Sequence, residues 1–390
     1  MSQSKTKRTI RLFDIKLSSA AKKEVNNVMA SGWLSTGSRV AEFEKQLSRI
    51  LKVPYVAALS SGTAALHLAL EASGELKDTE VITTPFTFVA TVEAIMLAGS
   101  KVVLADIDSD TLNISAEDAA RKIMKKTKAI VAVDIAGLPA DYGSLRKLCR
   151  AHSLKLISDS AHALGTKYKD KTMPELADLS AYSFYPTKNV TTAEGGAVAS
   201  KNKKLIEKVR LLSRHGLTTN AYQRQKSGGW GYDVPVFGYK ANLSDIHAAL
   251  GIGELKNFEK NQQKRAKLAK RYLANLSHLS DSLRLPPATS DIRHSWHLFI
   301  IQLNLDSLKI DRNRFIAEMS KLGVQCGVHY QPIFELSYYR QALNLKASDF
   351  PNAAKAGKSV VSLPLHTLLK ISDIDYVCEC LAAILGRNRH

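Results

Sequence analysis

Residues 129–134 read AIVAVD and residues 154–159 read LKLISD, with LRKLCRAH at 145–152 between them. The outer runs are short and apolar, which predicts strands; the middle run predicts a helix. The alternation continues in both directions. Strands are expected at 53–59, 80–84 and 101–106 on one side and at 179–183 and 196–200 on the other. Helices are expected over 63–72, around 91–97 and from about Ser115. Strands this apolar, separated by helices, predict a mostly parallel sheet covered on both faces, an α/β fold. In such sheets ligands bind beyond the carboxyl ends of the strands, which selects the residues to inspect.

The rest of the chain bounds the architecture. Its length of 390 residues suits two or three domains of typical size. A long charged helical stretch is expected over 245–279. Strands are expected at 297–303 and 324–330, inside a smaller α+β domain. The division expected is a large domain over 1–255, including the N-terminal segment, and a small C-terminal domain over 256–390.

Composition excludes several classes. Hydrophobic residues at 45% and charged residues at 23% exclude a disordered chain. Only 21 glycines and 11 prolines exclude collagen. Fifty-five basic against 36 acidic residues give a net charge of +19, which suits an anionic partner such as a phosphorylated metabolite. The charge is dispersed rather than drawn into one stripe, so no nucleic acid is expected. No apolar run approaches the ~20 residues that span a bilayer, so no membrane insertion is expected. The N-terminal stretch lacks the apolar core of a signal peptide. Cys149, Cys326, Cys378 and Cys380 read as reduced thiols. A cytoplasmic protein without a metal site is the expectation.

Five features then fall at the predicted strand ends. Lys188 follows strand 179–183 by five residues, and a lysine held there in its neutral form can attach to a carbonyl cofactor. Asp159 closes the strand LKLISD; a carboxylate at that depth needs a cation, and a protonated ring nitrogen would serve. Ser60-Ser61-Gly62-Thr63 precedes a helix, whose first amides suit a phosphate. Ser183 adds a hydroxyl at a neighbouring strand end. Phe88 offers a face on which a planar ring could stack. Singly, each has a structural reading: surface lysine, helix cap, core phenylalanine. Together they form a set suited to pyridoxal phosphate.

The sequence resembles the DegT-type nucleotide-sugar aminotransferases, which are fold type I enzymes, from about Leu17 to Leu385. The segments that carry the resemblance are SGWLSTGSRVAEFE (31–44), SSGTAALHLAL (60–70), TPFTFVATVEAI (84–95), SDSAHALG (158–165), YSFYPTKNVTTAEGGAV (182–198), FGYKANLSDIHAALG (237–251) and GVHYQP (327–332). The resemblance implies that pyridoxal 5'-phosphate is the cofactor, Lys188 its Schiff-base lysine and Asp159 the partner of its ring nitrogen. It places His162 beside the ring, Phe88 against it, and Gly62, Thr63 and Ser183 at its phosphate. Asn242 matches an asparagine given to the neighbouring subunit's cofactor, implying a homodimer with shared sites. His329, Tyr330, Lys240 and Arg214 match or suit substrate contacts. The implied reaction moves the amino group of L-glutamate to a nucleotide-linked keto-sugar, a 4-keto-6-deoxyhexose by the likeness of SGWLSTG, for glycan biosynthesis. A 3-keto-sugar substrate and a non-catalytic regulator on the same fold are the alternatives.

Overall fold

The computed structural model describes residues 8–219, 222, 224, 225, 228–288 and 290–390. Twelve strands occur among them: β1 (Tyr55–Leu59), β2 (Glu80–Thr83), β3 (Lys101–Leu104), β4 (Thr127–Val133), β5 (Lys155–Asp159), β6 (Lys167–Tyr168), β7 (Leu179–Ser183), β8 (Gly196–Ser200), β9 (Leu283–Arg284), β10 (Ile292–Arg293), β11 (Phe299–Leu303) and β12 (Val360–Leu363). Seven of these build the main sheet in the order β1-β8-β7-β5-β4-β2-β3. The β7-β5, β5-β4, β4-β2 and β2-β3 pairs are parallel; β8 runs antiparallel to both its neighbours. This is the mostly parallel, helix-covered sheet that the apolar strand pattern predicts.

Both faces of the sheet are apolar because helices cover both. In β4, Ala129 and Val131 join one core while Ile130 and Ala132 join another. The first core is closed by the helices Gly62–Ser73 and Val89–Leu97, the second by the helix Tyr142–Ala151. β8 can lie between β1 and β7 only because its first residue has no side chain. A Cβ on Gly196 would sit 2.2 Å from the carbonyl oxygen of Ser61 and 2.8 Å from that of Tyr182.

A three-stranded antiparallel sheet, β12-β11-β9, forms beyond the main sheet. Phe299, Ile301 and Leu303 of β11 point into a core shared with the helices Phe258–Leu276 and Ile371–Arg387. Leu298 and Ile300 point the other way, into the core of the main sheet. Ile10, from the other end of the chain, packs in the C-terminal core and bridges Val324.

One expectation is refined and one fails. The helical stretch over 245–279 is two α-helices, Asp245–Leu255 and Phe258–Leu276, ending in a 3-10 turn at Ser277–Leu279. The chain turns at Lys256 and Asn257, with neither glycine nor proline to mark it; the first helix is largely buried and the second exposes a charged face. The strand expected at 324–330 is also absent. Val324 and Gly327 each form a single bridge, to Ile10 and Ser362, and no ladder follows. No helix among the described residues is long and apolar enough to cross a membrane. All four cysteines are free.

Candidate active site

A cavity of about 440 Å³ opens beyond the carboxyl ends of β1, β4, β5 and β7. Gly62, Thr63, Phe88, Asp159, His162, Ser183, Lys188, His329 and Tyr330, nine of the residues singled out above, line it. One wall is the start of the Gly62–Ser73 helix. Ser61 caps it, its Oγ accepting from the Ala64 amide at 3.0 Å. The amides of Gly62 and Thr63 belong to the first turn, which has no intrahelical acceptor. A Cβ at Gly62 would lie 2.7 Å from Ser183 Cβ and 3.0 Å from its Oγ. The space kept open there, bounded by amides and a hydroxyl, is a cradle of the kind a phosphate fills.

Asp159 closes β5, the strand paired with β7, and is 6% exposed. Thr91 Oγ1 donates to its Oδ2 at 2.7 Å and the Ala161 amide donates to its Oδ1 at 3.2 Å. Thr91 is held in turn by Thr87, 2.7 Å away. Among the described residues no cation lies within ion-pair distance of Asp159. Burial pushes its pKa up, against the hydrogen bond from Thr91, the Ala161 amide and the more distant charge of Lys188. A carboxylate so placed fits a ring N–H⁺. Phe88, although apolar, is 57% exposed at the rim, so a face is available for a planar group.

Lys188 stands on the loop after β7, its backbone amide bonded to the Tyr185 carbonyl at 2.9 Å. Burial lowers its pKa to about 8, opposed by Asp159. A value of about 8 leaves roughly a tenth of the amine neutral at pH 7, far more than for an ordinary lysine, and the neutral form is the one that acts as nucleophile or base. Three imidazoles surround this amine. Burial and the nearby Lys188 charge hold His329 down to about 4 and His162 well below the usual range. His297 is likewise held low, first by burial and then by His162 and Lys188. The tautomer of His162 follows from its partners. The Ala136 amide donates to its Nδ1 at 3.2 Å. The neutral ring therefore carries its proton on Nε2, which gives it to Tyr330 Oη at 3.0 Å. The Tyr330 hydroxyl proton is then left to serve the cavity.

The residues that match the DegT/DnrJ/EryC1/StrS aminotransferase family model run from 16 to 382, nearly the whole chain. The chain belongs to that family. The Spore coat polysaccharide biosynthesis protein SpsC of Bacillus subtilis is 36% identical over 364 residues, 93% of each protein. The putative sugar aminotransferase Spr1654 of Streptococcus pneumoniae, solved in its PMP form, superposes with a TM-score of 0.90 at 31% identity, covering 97% of this chain and all of that one. PseC of Helicobacter pylori, an aminotransferase involved in the biosynthesis of pseudoaminic acid, gives 0.90 at 30% identity, with the same coverage. This DegT-family chain is therefore a pyridoxal phosphate-dependent sugar aminotransferase that takes a sugar substrate and an amino donor.

Three of the singled-out residues lie outside the cavity of their own chain. Asn242 donates from Nδ2 to Thr36 Oγ1 at 2.6 Å and accepts from Lys240 Nζ at 2.6 Å. Thr36 also donates to the Leu243 carbonyl at 2.5 Å, so the SGWLSTG segment of this family member is the support of Asn242. Arg214 bridges Lys240 and gives its Nε–H to the Arg210 carbonyl at 3.0 Å.

The cavity also contains residues that sequence reasoning passed over: Phe13, Thr87, Thr91, Glu194 and His297. Thr91 carried a usable signal, a hydroxyl within the otherwise apolar start of the helix VATVEAIML. His297 carried none. It reaches the site because its amide and that of Leu298 bond the Ala136 carbonyl, at 3.0 and 3.2 Å.

Proposed function

We propose that this enzyme transfers the amino group of L-glutamate to a nucleotide-linked 4-keto-6-deoxyhexose, making an amino sugar for glycan biosynthesis. The observation that carries the reading is the pairing in one cavity of a lysine that burial brings toward neutrality and a buried carboxylate without a cation. Likeness of SGWLSTG to family members acting at carbon 4 supports the choice of carbon. The net charge of +19 suits an anionic nucleotide sugar.

Bound pyridoxal phosphate supplies an electron sink that weakens a C–H bond beside the transferred nitrogen. The chain does the rest. The amides of Gly62 and Thr63 and the hydroxyl of Ser183 would hold the phosphate; Phe88 and His162 would hold the ring. Asp159 would keep the ring nitrogen protonated. Lys188 Nζ is the amine that would hold the cofactor, and when free it would take and return the proton that moves in each half-reaction. Its lowered pKa suits it to both directions. Tyr330 and His329 face the incoming sugar.

The enzyme acts as a homodimer in this reading, with Asn242, Lys240 and Arg214 serving the site of a second copy. The adjoining segment supports this: Trp230 is 88% and Phe237 83% exposed, and Tyr232, Val234 and Val236 are exposed with them. An apolar run of that kind marks a surface that another chain covers.

Incubation with pyridoxal phosphate, L-glutamate and a panel of keto-sugar nucleotides tests the reading directly. Mass spectrometry and NMR should show amination at carbon 4. Amination at carbon 3 alone refutes the choice of carbon, and no nitrogen transfer from glutamate refutes the donor. The phosphate cradle has its own test. Gly62→Ala should cost some stability, because a Cβ there would sit 2.7 Å from Ser183 Cβ and rotation of the Ser183 side chain cannot relieve that. Its methyl group would force Ser183 aside, so the cofactor should bind at least about tenfold more weakly in an absorbance titration, a loss of about 1.4 kcal/mol.

A further inference from the structure

His297 lines the cavity, yet the function proposed above gives it no task. It is 3% exposed and held through both backbone and ring. Its amide bonds the Ala136 carbonyl at 3.0 Å, and its own carbonyl accepts from Arg265 Nη1 at 3.4 Å. Its ring packs against two others. The His162 ring is 4.4 Å away between centroids, and the Phe13 ring 6.3 Å away and nearly parallel, at 19°.

The hydrogen bonds decide which ring nitrogen carries the proton. Asn189 Nδ2 donates to the Ser295 carbonyl at 2.9 Å and to Gln262 Oε1 at 3.2 Å. The Ser295 carbonyl can only accept, which fixes the orientation of the Asn189 amide. Its Oδ1 is then the atom 3.3 Å from His297 Nδ1. An amide oxygen has no hydrogen to give, so the proton of the neutral ring sits on Nδ1. Burial, and then His162 and Lys188, hold the ring well below the usual imidazole range, so it stays neutral. Nε2 is left as a bare acceptor. It has no partner among the described residues, and the ring that bears it faces no competing donor of its own chain.

A rigid acceptor in the cavity selects by chemistry. Ketone and carboxylate oxygens have nothing to donate to it, whereas a hydroxyl does. The amine of an amino donor is committed to the cofactor. Tyr330 offers the opposite polarity, an O–H free to serve an acceptor such as a ketone oxygen. We propose that His297 Nε2 accepts a hydrogen bond from a ring hydroxyl of the sugar substrate, so that His297 recognises the sugar and not the amino donor. This rests on the function proposed above and deepens it, by assigning selection of a hydroxylated ketone to one residue of this chain.

His297→Asn and His297→Gln separate the two nitrogens. An asparagine amide reaches about as far as Nδ1, so its N–H keeps the bond to Asn189 while the acceptor is lost. A glutamine reaches about as far as Nε2, so its oxygen restores the acceptor. Calorimetric titration of the pyridoxal phosphate-loaded enzyme with a nucleotide-linked 4-keto-6-deoxyhexose reads binding without turnover, since that form holds no amino group to transfer. His297→Asn should weaken binding about tenfold, the cost of leaving a buried hydroxyl unpaired. His297→Gln should recover most of that loss. The half-reaction with L-glutamate alone, followed by cofactor absorbance, should stay within about twofold of wild type in both variants. A glutamate half-reaction that falls as far as sugar binding does, or equal binding losses in the two variants, would show that the ring only holds the loop of Lys188, and overturns the proposal. If neither variant folds, wild type decides. Among sugar nucleotides lacking one ring hydroxyl at a time, one should bind about tenfold more weakly; undiminished binding of all of them overturns the proposal. Failure of wild type to take nitrogen from glutamate overturns the donor proposed above, whereas the binding titration still decides the role of His297.

Discussion

Lys188→Ala is expected to lower transamination by about 10⁴-fold or more, the upper range for losing a proton-transfer group. Lys188 is the one amine that lines the cavity among the described residues. The neighbouring imidazoles cannot replace it as an attachment point. His329, held down to about 4, is also a poor base. Turnover of glutamate with a keto-sugar by the variant would refute the assignment. The same side chain should have a measurable cost in the cofactor-free protein. Its pKa falls from 10.5 unfolded to about 8 folded, chiefly through burial. The unfolded chain then binds more protons between those values, so stability rises with pH across that window. Below about pH 8 the full penalty applies, up to about 3 kcal/mol. Lys188→Met, similar in length and uncharged, should therefore raise the denaturant-derived stability of the cofactor-free protein at neutral pH. The gain should vanish above about pH 10.5, the unfolded value. A gain that did not depend on pH would show that packing, not charge, separates the two proteins.

Asp159→Asn should slow turnover by about 10²–10³-fold, as loss of one preorganised electrostatic group does in other active sites. The cofactor should remain bound, because the cradle at Gly62, Thr63 and Ser183 does not include Asp159. An asparagine oxygen can still accept from Thr91, but its NH2 group would then face the Ala161 N–H, which loses its acceptor. What is lost is the charge that keeps the ring nitrogen protonated. Burial raises the Asp159 pKa before the cofactor arrives, so the cofactor-free variant should be more stable than wild type at neutral pH. That advantage should shrink as pH falls and Asp159 takes up its proton. A wild-type rate in Asp159→Asn would remove the carboxylate from the mechanism.

Much of the site was legible because its residues sit where strands end. Lys188, Asp159, Ser183 and Gly62 each follow or close a strand that apolar patterning predicts, and the fold brings those ends together. Lys240, Arg214 and Asn242 were legible only through family likeness. In the structure they cluster with the SGWLSTG segment, away from the cavity of their own chain. His297 was not legible at all, since its position depends on bonds to the carbonyl of Ala136, far away in the chain. The break at Lys256 and Asn257 was missed for a different reason: packing sets the turn, and neither residue is a strong helix breaker. The strand expected at 324–330 failed because β-branched residues need a neighbouring edge to pair with, and here only two isolated bridges form.

Local pattern and composition determined the alternation of strands and helices, the mostly parallel sheet and the residues beyond its strand ends, because side-chain periodicity is a property of the chain itself. The charge states of those residues were not contained in it. Lys188 is pushed toward neutrality and Asp159 lacks a cation only because distant segments close over them and exclude water. Desolvation depends on what packs around a group, and that is decided in three dimensions.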